Sequence, residues 1–301
     1  MVMNNNNWQL TRREFVGLCS KSILILAGIG ISGCIGIDDK EKDNKTSQEM
    51  GDINKLKDMT QGNHGIKFII IGDPHAKSNG DTNRGNERLE QIVGFINKQD
   101  VDFSVFLGDM ADDGTNKTNK MVKLILNKME KQYYVIAGNH DILESPDIFE
   151  ANYGLMKHID IVEGYQLLFI GIYDEIVNGK RILHWSFDFN KANKNLPTLV
   201  FIHGPTINPP SICNRCKWGK NFFGYGQSMK PELDKFTNLI GVYGGHVHYN
   251  SDQTINGVRH ITINGLIHTK NTGGLDASPS DEIGYSIIQG NKIDYKLLTY
   301  R

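Results

Sequence analysis

"KFIIIGDPH", residues 67–75, runs a short apolar, β-branched stretch straight into glycine, an aspartate and a histidine. The apolar run reads as a buried strand. Its exit into Asp73 and His75 is not the composition of an ordinary turn. The same figure recurs in "DFSVFLGDMADDG" (102–114), "QYYVIAGNHD" (132–141), "PTLVFIHGP" (197–205) and "LIGVYGGHVH" (239–248). Among the first three lie "ERLEQIVGFINK" (87–98) and "NKMVKLILNKME" (119–130), whose apolar residues fall at helical spacing. Strand and helix patterns in alternation argue for an α/β fold. In sheets covered on both faces by helices, ligands bind at the carboxyl ends of the strands. The five polar clusters are therefore expected to gather on one edge.

The tail holds "TINGVRHITI" (254–263), where Asn256-Gly257 signals a tight hairpin. Further alternating strands up to Arg301 suggest an antiparallel portion packed beside the first. A chain of 301 residues suits one large domain or two small ones. With 39% hydrophobic and 22% charged residues it can build a sizeable core. The net charge of -1 offers no general attraction to nucleic acid or to an anionic membrane.

The chemistry lies in Asp73, His75, Asp109, Asn139, His203, His246 and His248. Alternation along an extended chain would send His246 and His248 to the same side. Two carboxylates, an amide oxygen and four imidazoles are too many donors for one tetrahedral zinc. They suit two metals sharing a bridging carboxylate. Two divalent ions held by only two carboxylates keep surplus positive charge, which should attract an anion such as a phosphate ester. Such a pair makes hydroxide at neutral pH and clamps a phosphoryl group during in-line displacement. Taken singly, each residue has a plainer reading. Asp73 or Asp109 could only cap a following helix, and Asn139 could be a turn residue. His158, His184, His260 and His268 fall outside the motifs and read as structural or surface residues. Asp81 and Asp113 read as solvated loop acids.

The ordered set D-P-H, G-D-M-A-D-D-G, G-N-H-D, H-G-P and G-H-V-H resembles the calcineurin-like metallophosphoesterase superfamily, in its D-x-H branch. The likeness runs from Lys67 to at least Tyr249, and the tail fits that family's second sheet. It implies a four-layer α/β/β/α sandwich with mixed sheets. It implies Asp73, His75 and His248 on a first metal, Asn139, His203 and His246 on a second, and Asp109 bridging. His140 would protonate the leaving oxygen, oriented by Asp112, and Asp141 would support the ligands from behind. The cofactors implied are two divalent ions; manganese, iron and zinc all suit such donors. The activity implied is hydrolysis of phosphate esters, as a phosphodiesterase or phosphatase, by a metal-bound hydroxide.

Two other readings compete. An inactive binding protein on the same fold is disfavoured by the full ligand set and by His140. A nuclease of the superfamily is disfavoured by the lack of a basic stripe. Purple acid phosphatases of the superfamily carry tyrosine where Asp112 stands and lack an equivalent of His75, so their iron(III) chemistry is not expected. Many D-x-H members read H-H-P where this chain has "HGP". Gly204 thus puts cyclic-nucleotide specificity in doubt. Substrate selection is expected from the loops at 76–86 and 207–227.

The first residues carry a separate message. "TRREFVG" (11–17) resembles a twin-arginine export signal and precedes an apolar run at 22–32. Eleven helical residues reach about 16 Å, well short of a hydrocarbon core about 30 Å thick, so a signal h-region is the better reading. "ISGC" (31–34) looks like a lipoprotein processing site that would leave Cys34 lipidated and the protein anchored. Residues 1–33 are thus expected to be an export signal, 34–64 a polar tether and 65–301 the folded domain, held on the outer side of the cytoplasmic membrane. Cys213 and Cys216 could be half a zinc site, a redox pair or a short-loop disulfide. An oxidising location favours the disulfide.

Overall fold

The structure is a computed structural model that describes residues 65–80, 84–177, 180–185, 187–207, 228–266 and 281–301. All of these lie in the compact unit Lys55–Arg301. The expected signal, the tether, Cys34, Asp81, Cys213, Cys216 and His268 fall outside the described residues.

Strand β1 (Ile66–Ile71) leads to helix α1 (Gly85–Ile96), β2 (Phe103–Phe106), α2 (Asn116–Leu126), β3 (Gln132–Val135) and α3 (Pro146–Tyr153). Strands β4 (Lys157–Val162), β5 (Tyr165–Ile170), β6 (Ile172–Val177) and β7 (Lys180–Trp185) follow. Then come β8 (Thr198–Ile202), the short α4 (Lys230–Leu233) and β9 (Leu239–Gly244). The chain closes with β10 (Ser251–Ile255), β11 (Val258–Thr262), β12 (Glu282–Gln289) and β13 (Lys292–Thr299).

Two mixed sheets result, in the orders β13-β12-β1-β2-β3 and β10-β11-β9-β8-β5-β4, with β6 and β7 as a separate hairpin. Strands β1, β2 and β3 run parallel, as do β5, β8, β9 and β11. The five polar-ended strands are therefore split between two sheets instead of sharing one. Alternation along β1 explains the packing. Ile69 and Ile71 face a core shared with Leu89, Ile92 and Ile96 of α1 and Val122 and Leu126 of α2. Ile66, Phe68 and Ile70 face a second core with Phe169, Phe201 and Tyr243 of the other sheet. The first sheet thus packs helices on one face and the second sheet on the other, a mixed α/β arrangement as the resemblance implies. The outer face of the second sheet packs on Phe189, Met229, Leu233 and Phe236, so its helical cover is short among the described residues.

Aromatic rings fill the gap between the sheets. Phe68 stacks on Phe103 with centroids 5.0 Å apart and meets Phe201 and Tyr243 edge-on at 5.5 and 5.3 Å. The tail also divides. The hairpin β10–β11, turned by Asn256 and Gly257 at positive φ, extends the second sheet, while β12 pairs antiparallel with β1 of the first.

Candidate metal centre

The carboxyl ends of β1, β2, β3, β8 and β9 meet where the two sheets face each other. The contacts that join them cross the sheets. Both oxygens of Asp73, after β1, accept the main-chain N–H of His246, after β9, at 3.0 and 2.9 Å. Gly108, after β2, has φ 97°, and a Cβ there would come within 2.6 Å of His203 Nδ1, after β8. Glycine is needed at that position on two counts, its left-handed backbone and the close approach.

Three overlapping clusters form among the described residues. Asp73, His75 and His248 make the first and Asp109, His203 and His246 the second, all six buried; His75 and Asp109 also make a third with the half-buried His140. In the first, His75 Nε2 lies 3.1 Å from His248 Nε2, and His248 Nε2 lies 3.6 Å from Asp73 Oδ1. In the second, His203 Nε2 lies 3.1 Å from His246 Nδ1 and 3.2 Å from Asn139 Oδ1. Asp109 stands between them. Its Oδ2 is 3.4 Å from His75 Nε2 and 3.4 Å from His203 Nε2. Two ligands of a tetrahedral ion, each about 2.0–2.1 Å from the metal, are about 3.3 Å apart. Buried and half-buried nitrogens and oxygens at 3.1–3.6 Å from one another therefore fit a divalent cation in donor type and in spacing.

Charge inside the cluster is strongly coupled. Burial alone would raise the Asp109 carboxyl, but the charge and hydrogen bond of His203, with His75, outweigh it and hold the group well below the usual carboxylate range. Burial likewise opposes protonation of His203, yet Asp109 and Asp73 lift it to about 9. His246 is driven to about 3 by burial and by the charge of His203. The carboxylates thus demand positive charge at this spot. A divalent cation bound here would compete with the His203 proton for the same lone pair.

His140 sits at the rim with its side chain 34% exposed. Its N–H donates to Asp109 Oδ1 at 2.9 Å, and its Nδ1 donates to the main-chain oxygen of Asp112 at 2.6 Å. Burial lowers its basicity, but Asp109 and Asp112 more than compensate and raise it above the ordinary histidine value. The Asp112 carboxylate itself turns to His75: Oδ1 lies 2.9 Å from His75 Nδ1 and 3.8 Å from His140 Nδ1. Asp112 thus touches His140 mainly through its backbone. Asp141 is buried and accepts the N–H groups of Ala111 and Gly138, both at 2.9 Å, tying the turn after β2 to the turn after β3. Burial and the Asp109 charge push its carboxyl up to about 7.

The sequence profile of the calcineurin-like phosphoesterases matches residues 66–250. The chain belongs to that family. As a calcineurin-like phosphoesterase it is a phosphoric ester hydrolase, and its Asp/His clusters suit divalent metal ions. A probable glycerophosphodiester phosphodiesterase of Arcobacter nitrofigilis is 26% identical over 249 residues, spanning 75% of this chain and 83% of its own. A 3',5'-cyclic-nucleotide phosphodiesterase of Nostoc is 23% identical over 168 residues, spanning 54% of this chain and 59% of its own. Among solved structures, a dimetal phosphatase from Danio rerio has a TM-score of 0.50 at 13% identity, covering 78% of this chain and 99% of that one. A purple acid phosphatase from yellow lupin has a TM-score of 0.54 at 12% identity, covering 77% and 51%. At such identities the solved structures speak for the fold alone, as mixed α/β.

Outside the clusters, Asp113 is the exposed loop acid expected, with an added local role, and sequence reasoning overlooked Lys77. Asp113 is exposed but not merely solvated: it accepts from Thr115 N, Thr115 Oγ1 and Thr118 Oγ1 at 3.0–3.1 Å, at the start of α2. Lys77, two residues beyond His75, places Nζ 2.9 Å from Asp112 Oδ2. His158 stacks on Phe169 at 4.4 Å and His260 meets Thr206 Oγ1 at 3.0 Å, both away from the clusters.

Proposed function

We propose that this phosphoesterase hydrolyses phosphodiesters with two divalent ions and a histidine acid. Asp73, His75 and His248 would hold one ion, Asn139, His203 and His246 the other, and Asp109 both. The observation that carries this is the equal 3.4 Å separation of Asp109 Oδ2 from His75 and from His203. Such ions, held there, would supply a nucleophile at neutral pH and offset charge on the phosphoryl oxygens. The chain's own contribution is geometry and a proton. Asp109 fixes the backbone of His140, and the Asp112 carbonyl keeps the proton on Nδ1. In the protonated ring Nε2 then carries the transferable proton for the leaving oxygen. The preference for diesters is supported by the printed names of the two curated relatives, both phosphodiesterases.

The test is metal content together with turnover. Wild type, purified and reloaded with manganese, iron or zinc, should hold about two ions per chain and cleave diesters faster than monoesters. Asp109→Asn should lose ions and activity together. A variant that keeps both ions and full activity sinks the bridging role. Residues 1–64 would export the protein and anchor it through a lipid on Cys34.

A further inference from the structure

Two histidines of the centre have their tautomers set in different ways. His203 Nδ1 faces the main-chain oxygen of Leu107 at 2.7 Å. A carbonyl only accepts, so Nδ1 carries a proton and Nε2 is the nitrogen left to face the cluster and to ligate once its own proton is displaced. That carbonyl sits in the buried strand end and has no freedom to turn. His75 Nδ1 instead faces a side chain, the Asp112 carboxylate, at 2.9 Å. The same tautomer results, with Nε2 aimed at His248 and Asp109. The holder is less secure, however: Asp112 is 24% exposed, and the same Oδ1 lies 3.8 Å from His140 Nδ1. A partly exposed carboxylate held at one oxygen alone can rotate away from the ring.

Lys77 removes that freedom. With Nζ on Oδ2 at 2.9 Å, it pins the carboxylate in the rotamer that puts Oδ1 on His75. Lys77 is itself well seated. Its N–H donates to Asn86 Oδ1 at 2.9 Å and its carbonyl accepts from Asn86 Nδ2 at 2.7 Å. The loop that bears it is laced to the Asp112 loop, through the Ala76–Ala111 bridge and the Asp112 N–H on the Ala76 carbonyl at 3.0 Å.

We propose that Lys77 is a positioning residue: it acts through Asp112 to hold His75 in the tautomer that can ligate a metal, so His75 depends on an ion pair where His203 depends on backbone. This rests on the two-ion reading given above. Electrostatics alone predicts the opposite outcome to positioning, because deleting a cation beside a divalent ion should tighten binding. Full-length wild type, Lys77→Met and Lys77→Arg would be titrated with manganese by calorimetry. The ring nitrogens of His75 would be followed by ¹⁵N NMR in the metal-free protein. Losing a partner behind a ligand costs about 10–100-fold in metal affinity. Lys77→Met should therefore weaken one of the two sites by that factor, leave the other unchanged, and show mixed His75 tautomers, while Lys77→Arg restores both readouts. Unchanged or tighter binding in Lys77→Met, or a single retained tautomer, overturns the proposal. So does a loss that Lys77→Arg does not repair. A wild type that binds only one ion would be the failure of the two-ion reading instead, and the metal-free NMR would still decide what Lys77 does to His75.

Discussion

Asp73, His75, Asp109, His246 and His248 have φ of 37°, 45°, 52°, 68° and 47°, in the left-handed region that side chains other than glycine seldom adopt. Each such residue costs about 1–3 kcal/mol. The conformation turns a strand end sharply enough that an aspartate and the histidine next but one can converge on one point. His140 is different: it stands at the rim and its chemistry is testable by leaving group. A nitrophenolate leaves well without a proton, whereas an alkoxide does not. General acid catalysis is worth about 10²–10⁴-fold. His140→Ala should keep its metals, lose that much on alkyl esters and distinctly less on nitrophenyl esters, as single-turnover rates would show. Equal losses would remove the acid role, and a loss of metal would make His140 a ligand.

The five strand-to-loop junctions work because small residues let backbone and ligands approach. Gly108→Ala would force a Cβ into the left-handed region and to within 2.6 Å of His203 Nδ1 and 2.8 Å of Gly138 N. The expected cost is about 3 kcal/mol or more, read by urea unfolding, together with weakened metal binding on the His203 side. Gly94 provides the contrast. It is exposed inside α1, with nothing within 4 Å of an added Cβ. Gly94→Ala should stabilise the protein by about 0.4–1 kcal/mol. A destabilised Gly94→Ala would mean that the helix is packed differently from the structure described. Helix α2 begins three residues before the apolar pattern at 119–130, where Thr115 caps it by accepting from Thr118 N at 3.2 Å.

For the whole molecule, buried carboxylates and imidazoles from both sheets would make bound metal ions part of the fold. A ligand at 100 times its dissociation constant stabilises by about 2.7 kcal/mol, or about 5–10 °C in a domain of this size. Chelation should therefore lower Tm by that order in calorimetry, and restored manganese should recover it. An unchanged Tm would show that the centre folds fully without metal. At the same scale stands the proposed anchor: full-length protein in its native host should sediment with membranes, and Cys34→Ser should release it. Equal retention of the mutant would end that reading. Among the described residues no helix is long and apolar enough to cross a membrane.

What could be read from sequence was what depends on neighbours along the chain. The apolar runs at 67–71 and 239–244, the helices α1 and α2, and the Asn256-Gly257 turn are local signals, set by burial period and backbone freedom. Asp73, His75, Asp109, Asn139, His203, His246 and His248 stood out because each follows such a run. Helix α3 and strands β4 to β7 lack a comparably clean period and went unread. Tertiary structure decided the rest. Whether β8 joins β1 in one sheet or faces it from another depends on which apolar faces bury each other, here Phe68 against Phe201 and Tyr243, and no strand carries that information alone. The same holds for Lys77 and Asp112. Spacing puts them 35 residues apart with no periodic link, and only the lacing of the two loops brings ammonium, carboxylate and the His75 ring into one line.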